Sequence, residues 1–233
     1  MQIKILASGS TGNISWVSDG KTSLLLDAGI PMGEIQRGCG FGISDLSGCL
    51  ITHEHNDHAK SAAKLMERSV DVYTSRGTAA AHGWKSHRLH TVKSQEDFIA
   101  GTFDIMAFEV EHDAAEPLGF LIYSRATREK LVYFTDTYYL KYRFKGLTHI
   151  VCECNYDRDI LMQNVKSGEI EPFAAKRIMN SHMSIDNLLD MLKASDLSHV
   201  RQIYLIHISD RNGNASEFKE RVQKLTGAEV YAC

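Results

Sequence analysis

The fold is decided by residues 48–58, Gly48-Cys49-Leu50-Ile51-Thr52-His53-Glu54-His55-Asn56-Asp57-His58. The apolar run that ends at Ile51 predicts a buried strand, and three imidazoles and two carboxylates then follow within six residues. A strand gives the loop that follows it a fixed geometry, so a solvated histidine-rich loop is the weaker interpretation. Two histidines spaced two apart point the same way in an extended segment, and the Asp-His pair follows at a turn. The stretch therefore predicts two pairs of metal ligands.

The residues after Asp57 predict a helix. Small and apolar side chains recur from Ala59 through Ala62 to Leu65 and Met66, which is the spacing of one helical face. We therefore expect the ligand loop to be followed directly by a helix N-terminus.

Four other apolar strands also end in residues that can serve a metal site. They end at Asp27, His112, Asp136 and His207. In layered α/β folds, the loops at strand ends converge on one point. Because all four residues lie at strand ends, each is a stronger candidate for a metal site than it would be alone. Asp27 runs into a glycine turn, where it either hydrogen-bonds metal ligands or caps a helix.

Length and charge limit the classes of function. The chain has 233 residues, which suits one α/β domain over residues 1–233 with a sizeable core. Its net charge of −3 gives no basic excess and so no broad surface for long duplex nucleic acid. No apolar run approaches the length of a membrane span, so we expect no membrane partner.

The cysteines indicate a reducing compartment. There are five, an odd number without a paired framework, and the N-terminus lacks a signal-peptide pattern. We therefore expect a cytoplasmic protein. Cys152 and Cys154 flank Glu153 on a predicted strand, where apolar packing is favoured over a role as thiolate ligands.

The order of these residues resembles the metallo-β-lactamase fold superfamily. That superfamily has a strand-end Asp, then His-x-His-x-Asp-His, then a His, an Asp and a His, and the same order runs from Asp27 to His207 here. The resemblance implies an α/β fold, the αββα sandwich, with two mixed β-sheets flanked by helices. It also implies two divalent ions, with zinc expected and manganese as the alternative.

The same resemblance assigns the site residues. The first ion would take His53, His55 and His112, and the second would take Asp57, His58 and His207. Asp136 would bridge the two ions, and Asp27 would support the ligands by hydrogen bonding.

Shorter motifs narrow the resemblance to the YycJ (WalJ) group, bacterial and phage proteins regarded as DNA exonucleases. They are Leu6-Ala7-Ser8-Gly9-Ser10-Thr11-Gly12-Asn13, Thr52-His53-Glu54-His55, His112-Asp113-Ala114-Ala115-Glu116-Pro117 and Thr135-Asp136-Thr137. His182-Met183-Ser184 resembles the His-Ser/Thr loop of the tRNA 3′-processing phosphodiesterases, where the histidine lies by the scissile phosphate. A helix-flanking histidine is the alternative for His182.

The implied reaction is phosphodiester hydrolysis by a metal-bound hydroxide. Asp57 or Asp136 would orient the hydroxide, and His182 would donate a proton to the leaving oxygen. Ser10, Asn13 and His182 would contact the substrate, together with the backbone of residues 8–12.

Three functions remain open on the sequence alone. The first is a DNA exonuclease, and the second is a phosphodiesterase of the phage anti-defence type that degrades cyclic-nucleotide immune signals. The third, a non-catalytic metal-binding module, is disfavoured by the complete ligand set. The expected partners are nucleic acid ends or a nucleotide substrate, and the sequence leaves the oligomeric state open, a homodimer included.

Overall fold

The computed structural model describes every residue from Met1 to Cys233. The strands are β1 (Gln2–Ala7), β2 (Ile14–Ser18), β3 (Ser23–Leu26), β4 (Leu46–Leu50), β5 (Val72–Thr74), β6 (Leu89–Thr91), β7 (Asp97–Ala100), β8 (Phe103–Glu109), β9 (Leu118–Ser124), β10 (Lys130–Phe134), β11 (His149–Glu153), β12 (Gln202–Ile206) and β13 (Glu229–Ala232). The α-helices are α1 (Met32–Gly38), α2 (Asn56–Ala59), α3 (Ala62–Glu67), α4 (Arg76–Ala81), α5 (Arg158–Ser167), α6 (Pro172–Ser181), α7 (Ile185–Lys193) and α8 (Ala215–Thr226).

The chain divides into two compact units. Unit 1 comprises Met1–Glu109 and Ala114–Tyr133, and unit 2 comprises Val110–Asp113 and Phe134–Cys233. The expectation of one domain over residues 1–233 stays a prediction. None of the helices has the length and apolar character that a membrane span requires.

Unit 1 contains a six-stranded mixed sheet in the order β1 to β6. Strands β1, β2 and β3 pair antiparallel, whereas β3 to β6 pair parallel. The side chains of Leu24, Leu25 and Leu26 on β3 are all buried, as expected for a strand that is covered on both faces. Helices α1 and α3 place Ile35 and Leu65 in the same apolar core. This packing fixes the ends of β3 and β4, where the first site residues lie.

A second sheet has seven strands, with antiparallel pairing from β7 to β10 and parallel pairing from β11 to β13. In unit 2, the parallel strands β11 and β12 place Glu153 opposite Ile206. Helix α7 begins after Ser184, whose hydroxyl accepts a hydrogen bond from the Asn187 backbone N–H. The two mixed sheets with flanking helices confirm the predicted fold class.

The helix predicted after Asp57 is divided into α2 and α3. Between them, the Ser61 backbone N–H donates to the Ala28 carbonyl, and the Ser61 hydroxyl donates to the Ile30 carbonyl at 2.6 Å. These contacts with the loop after β3 take Ser61 out of the helical pattern. The prediction of a continuous helix was therefore wrong because tertiary hydrogen bonds outweigh local periodicity.

Candidate metal centre

In unit 1, the ends of β3 and β4 lie side by side. The two strands are parallel neighbours, so their carboxyl ends meet at the same edge of the sheet. The Asp27 backbone N–H donates to the Leu50 carbonyl at 2.8 Å. This pairing brings the Asp27 carboxylate to the histidine loop that follows β4.

The Asp27 carboxylate is buried and orients His58. It accepts hydrogen bonds from the Thr52 backbone N–H at 2.8 Å and from the Tyr133 hydroxyl at 2.6 Å. Its Oδ2 also lies 2.9 Å from Nδ1 of His58. A carboxylate at that distance keeps the proton on Nδ1, which leaves the lone pair of Nε2 as the one that His58 could offer to a metal. Asp27 thus contacts one of the predicted ligands, and its role in supporting a metal site stays a prediction.

The histidine loop presents its ligand atoms in two pairs. Nε2 of His53 lies 3.1 Å from Nδ1 of His55, and Nε2 of His58 lies 3.4 Å from Oδ2 of Asp57. The rings of His53 and His58 are only 4.3 Å apart between centroids. The loop therefore places these side chains in two neighbouring pairs, and their role as metal ligands stays a prediction.

The glycine-rich loop before β2 packs against this pair. Asn13 is buried, and its side-chain Nδ2 lies 3.3 Å from Oδ2 of Asp57 and 3.1 Å from Nε2 of His58. Its side-chain oxygen accepts from the Gly9 backbone N–H at 2.9 Å. Ser10 is exposed at the turn. Asn13 thus positions the Asp-His pair, and the substrate contacts of Ser10 and Asn13 stay predictions.

In unit 2, Asp136 lies between two histidines. Its Oδ2 is 3.5 Å from Nε2 of His112, and its Oδ1 is 3.2 Å from Nδ1 of His207. The Thr135 hydroxyl donates to Oδ1 at 2.9 Å. Each oxygen of one buried carboxylate therefore faces a different histidine, and the bridging role of Asp136 stays a prediction.

Glu153 is a buried acid beside two candidate site histidines, and the sequence did not single it out. It ends β11 fully buried, and its Oε1 lies 2.6 Å from Nδ1 of His182 and 2.9 Å from Nδ1 of His207. Its Oε2 accepts from the backbone N–H groups of Thr137 and Met183. One carboxylate thus orients both histidines. The sequence did contain a signal for Glu153, because the apolar strand β11 ends in an acid, as the strands before Asp27 and Asp136 do.

The pKa values of the titratable groups in unit 2 are shifted by burial and by the Glu153 carboxylate. Burial lowers the pKa of His112, which favours the neutral imidazole that a metal ligand must be. Burial opposes ionisation of both His182 and Glu153, but each stabilises the other's charged form. As a result the pKa of His182 is raised and the pKa of Glu153 is lowered.

Three site residues have a left-handed backbone conformation. Their φ angles are 61° for Asp27, 46° for Asp136 and 56° for His207. Such angles cost non-glycine residues roughly 1–3 kcal/mol each and persist only where the surrounding structure enforces them. All three directly follow or nearly follow a strand, so the strain turns the chain sharply and brings the side chain to the strand end.

The donor set of both units fits divalent transition metals. The donors are imidazole and carboxylate groups. His58 and His207 each have Nδ1 held by a buried carboxylate, so Nε2 is the atom that each could offer to a metal. Within unit 2 alone, the ligand atoms of Asp136, Glu153, His182 and His207 lie within 4.8 Å of one another. Cys152 and Cys154 are buried, and burial raises the pKa of their thiols, in agreement with a packing role.

Comparison with known proteins identifies the family. Residues 24–208 match the Beta-lactamase superfamily domain. The exodeoxyribonuclease YycJ of Bacillus anthracis is 30% identical over 90% of this chain and 83% of its own length. The exodeoxyribonuclease WalJ of Streptococcus pneumoniae is 30% identical over 89% of this chain and 81% of its own length.

A solved structure shows the same fold. The metallo-β-lactamase fold protein YhfI of Bacillus subtilis has a TM-score of 0.74 at 16% sequence identity, covering 99% of this chain and 95% of its own. These matches confirm the predicted resemblance and the prediction that the chain is an enzyme of the hydrolase class. The chain belongs to the beta-lactamase superfamily domain family and has the metallo-β-lactamase fold.

Proposed function

We propose that this protein is a two-metal phosphodiester hydrolase that releases nucleotides from DNA ends. The arrangement around Asp136 carries the proposal, because each oxygen of this buried carboxylate faces a different histidine. The names of the curated relatives, which are exodeoxyribonucleases, support DNA as the substrate.

The proposed ligands are those that the family resemblance assigns. We assign the first ion to His53, His55 and His112, the second ion to Asp57, His58 and His207, and Asp136 to both. Zinc is the expected metal, and manganese is the alternative. When bound, two divalent ions would lower the pKa of a water nucleophile and offset the negative charge that develops on the phosphate.

The remaining roles belong to side chains of this protein. Asp57 or Asp136 would accept a hydrogen bond from the attacking water and orient it. Nδ1 of His182 is held by Glu153, so Nε2 is the atom that donates a proton to the leaving oxygen. We keep Ser10, Asn13 and the backbone of residues 8–12 as proposed contacts for the phosphate oxygens.

Replacing His182 with alanine tests this function. We expect the variant to retain its metal and to hydrolyse 5′-labelled single-stranded DNA about 10²- to 10⁴-fold more slowly, which is the usual contribution of a general acid. Metal content is measured by mass spectrometry and nucleotide release by gel electrophoresis. His87→Ala is the matched control, because His87 is exposed and lies on no element of the site.

The outcomes separate the alternatives. Full activity of the His182→Ala protein would remove His182 from the mechanism. Hydrolysis of cyclic pyrimidine or purine nucleotides, with DNA left intact, would favour the alternative function, a cyclic-nucleotide phosphodiesterase. The mildly acidic net charge of −3 also suits that alternative. Metal-loaded wild-type protein that leaves every phosphodiester intact would contradict the proposal.

A further inference from the structure

A cavity in unit 2 is lined by residues close in sequence to His182 and Asp136. It has a volume of about 300 Å³ and is lined by residues of the segment after Asp136 and by residues of α7 and the loop before it. Tyr138 and Met183 both line it. Met183 directly follows His182, so their Cα atoms are about 4 Å apart. Tyr138 is two residues after Asp136, so their Cα atoms are at most about 7 Å apart.

The segment after Asp136 has an unusual composition. Residues 138–145 read Tyr-Tyr-Leu-Lys-Tyr-Arg-Phe-Lys, in which aromatic and basic residues alternate and acids are absent. The chain as a whole is only 9% aromatic and has a net charge of −3. Aromatic rings interleaved with cations are typical of surfaces that bind single-stranded nucleic acid, where bases stack and the cations attract phosphates.

Two tyrosine rings of this segment are presented to solvent on a fixed backbone. Tyr138 is 38% exposed and Tyr139 is 51% exposed. The Tyr138 carbonyl accepts from Nδ2 of Asn187 at 3.0 Å, and the Tyr139 carbonyl accepts from the Thr137 hydroxyl at 2.7 Å. Thr137 in turn donates its backbone N–H to Glu153. The positions of the rings are therefore tied to the carboxylate that orients His182.

The polar side chains of the cavity favour a base over a phosphate as its occupant. Asn187 and Asp190 line the same cavity as Arg143. The Asp190 carboxylate, which is paired with Lys193 at 3.0 Å, would repel a phosphate but can accept a hydrogen bond from the amino group of a base. The guanidinium plane of Arg143 offers a further stacking face.

We propose that this cavity binds the terminal nucleobase of single-stranded DNA, stacked on Tyr138 and Tyr139, and so places the adjoining phosphodiester at His182. The inference rests on the proposed function and names its substrate as an unpaired DNA end. Because stacking accounts for binding, the site tolerates any base and loses affinity when the base is missing.

The test compares two labelled single-stranded oligonucleotides that differ only in whether their terminal nucleotides carry a base or an abasic analogue. Binding is measured by fluorescence anisotropy with metal chelated, and hydrolysis is measured separately with metal added. We expect wild-type protein to bind the base-bearing oligonucleotide about 10-fold or more tightly than the abasic one, in keeping with the energy of one stacked base.

The variants decide which side chains are responsible. Tyr138→Ala and Tyr139→Ala should each lose most of that preference, and Tyr139→Phe should retain it because the ring remains. Phe173→Ala is the matched control, since Phe173 is an aromatic side chain of unit 2 that is 83% exposed and does not line the cavity. Its preference should equal that of the wild type.

Two results would overturn the inference: equal binding of both oligonucleotides by the wild type, or an unchanged preference in both alanine variants. Failure of the proposed function is seen separately. In that case metal-loaded wild-type protein would hydrolyse neither oligonucleotide, while the binding comparison would still decide whether the cavity recognises a base.

Discussion

Replacing Glu153 with glutamine is expected to lower kcat/KM by at least 100-fold while leaving the protein folded. The amide oxygen of glutamine can accept the backbone N–H groups of Thr137 and Met183 that Oε2 accepts now. The NH₂ group then lies where Oε1 was and faces Nδ1 of both His182 and His207. A donor facing two donors cannot be satisfied, so each ring must move or transfer its proton to Nε2.

Both consequences impair the site. A proton on Nε2 of His207 blocks the atom that would bind the metal, and loss of such a supporting hydrogen bond typically costs 10- to 100-fold in metal affinity or activity. His182 loses the carboxylate that stabilises its charged form, which slows proton donation as well. The measurements are kcat/KM and the dissociation constant of the metal.

The exposed Glu169 provides the control for this change. A Glu169→Gln protein carries the same chemical substitution outside the site and should behave as wild type. If the Glu153→Gln protein bound metal and turned over substrate like the wild type, Glu153 would be a structural residue only.

Replacing Gly29 with alanine is expected to have the second large effect. A Cβ atom at Gly29 would lie 1.7 Å from the carbonyl oxygen of Asp57 and 2.7 Å from the backbone nitrogen of Asn13. Both are backbone atoms that cannot rotate away. The peptide after Asp57 must therefore shift, and with it the Asp57 and His58 pair.

We expect the variant to lose metal from the second site and to be about 100-fold less active. A displacement of catalytic groups by about 1 Å is enough to cause a loss of activity of that size. Overpacking of this kind also lowers the free energy of unfolding by about 1–3 kcal/mol. Metal content, kcat/KM and the melting temperature are measured on the same preparation.

Gly33→Ala is the matched control, because a Cβ atom at Gly33 in α1 would approach only the Arg37 side chain, at 3.9 Å. Alanine is the better helix former, so this variant should be as stable as the wild type or slightly more so. A Gly29→Ala protein with wild-type metal content and activity would show that the loop after β3 does not fix the Asp57 and His58 pair.

Much of the site could be predicted because it lies where apolar strands end. Asp27, Asp136 and His207 each stand out as a polar residue directly after a buried run, and the structure places the latter two within hydrogen-bond distance of each other. Asp27, which the sequence predicts to hydrogen-bond metal ligands, lies 2.9 Å from Nδ1 of His58. Apolar runs and the polar residues that end them are local features, so they can be recognised from the sequence alone.

The contacts that depend on tertiary structure could not be predicted in the same way. Glu153 ends a strand like the other acids, but only the parallel pairing of β11 and β12 brings it to His207. Its distance from His182 depends on how the loop before α7 packs. The break between α2 and α3 likewise comes from hydrogen bonds of Ser61 to a loop about 31 positions earlier in the chain.

Anomalous diffraction from crystals of metal-loaded protein tests the central claim most directly. We expect two peaks per chain, one bonded to His53, His55 and His112 and the other to Asp57, His58 and His207. Asp136 should contact both. A single peak, or two peaks of which neither lies within bonding distance of Asp136, would contradict the two-metal account.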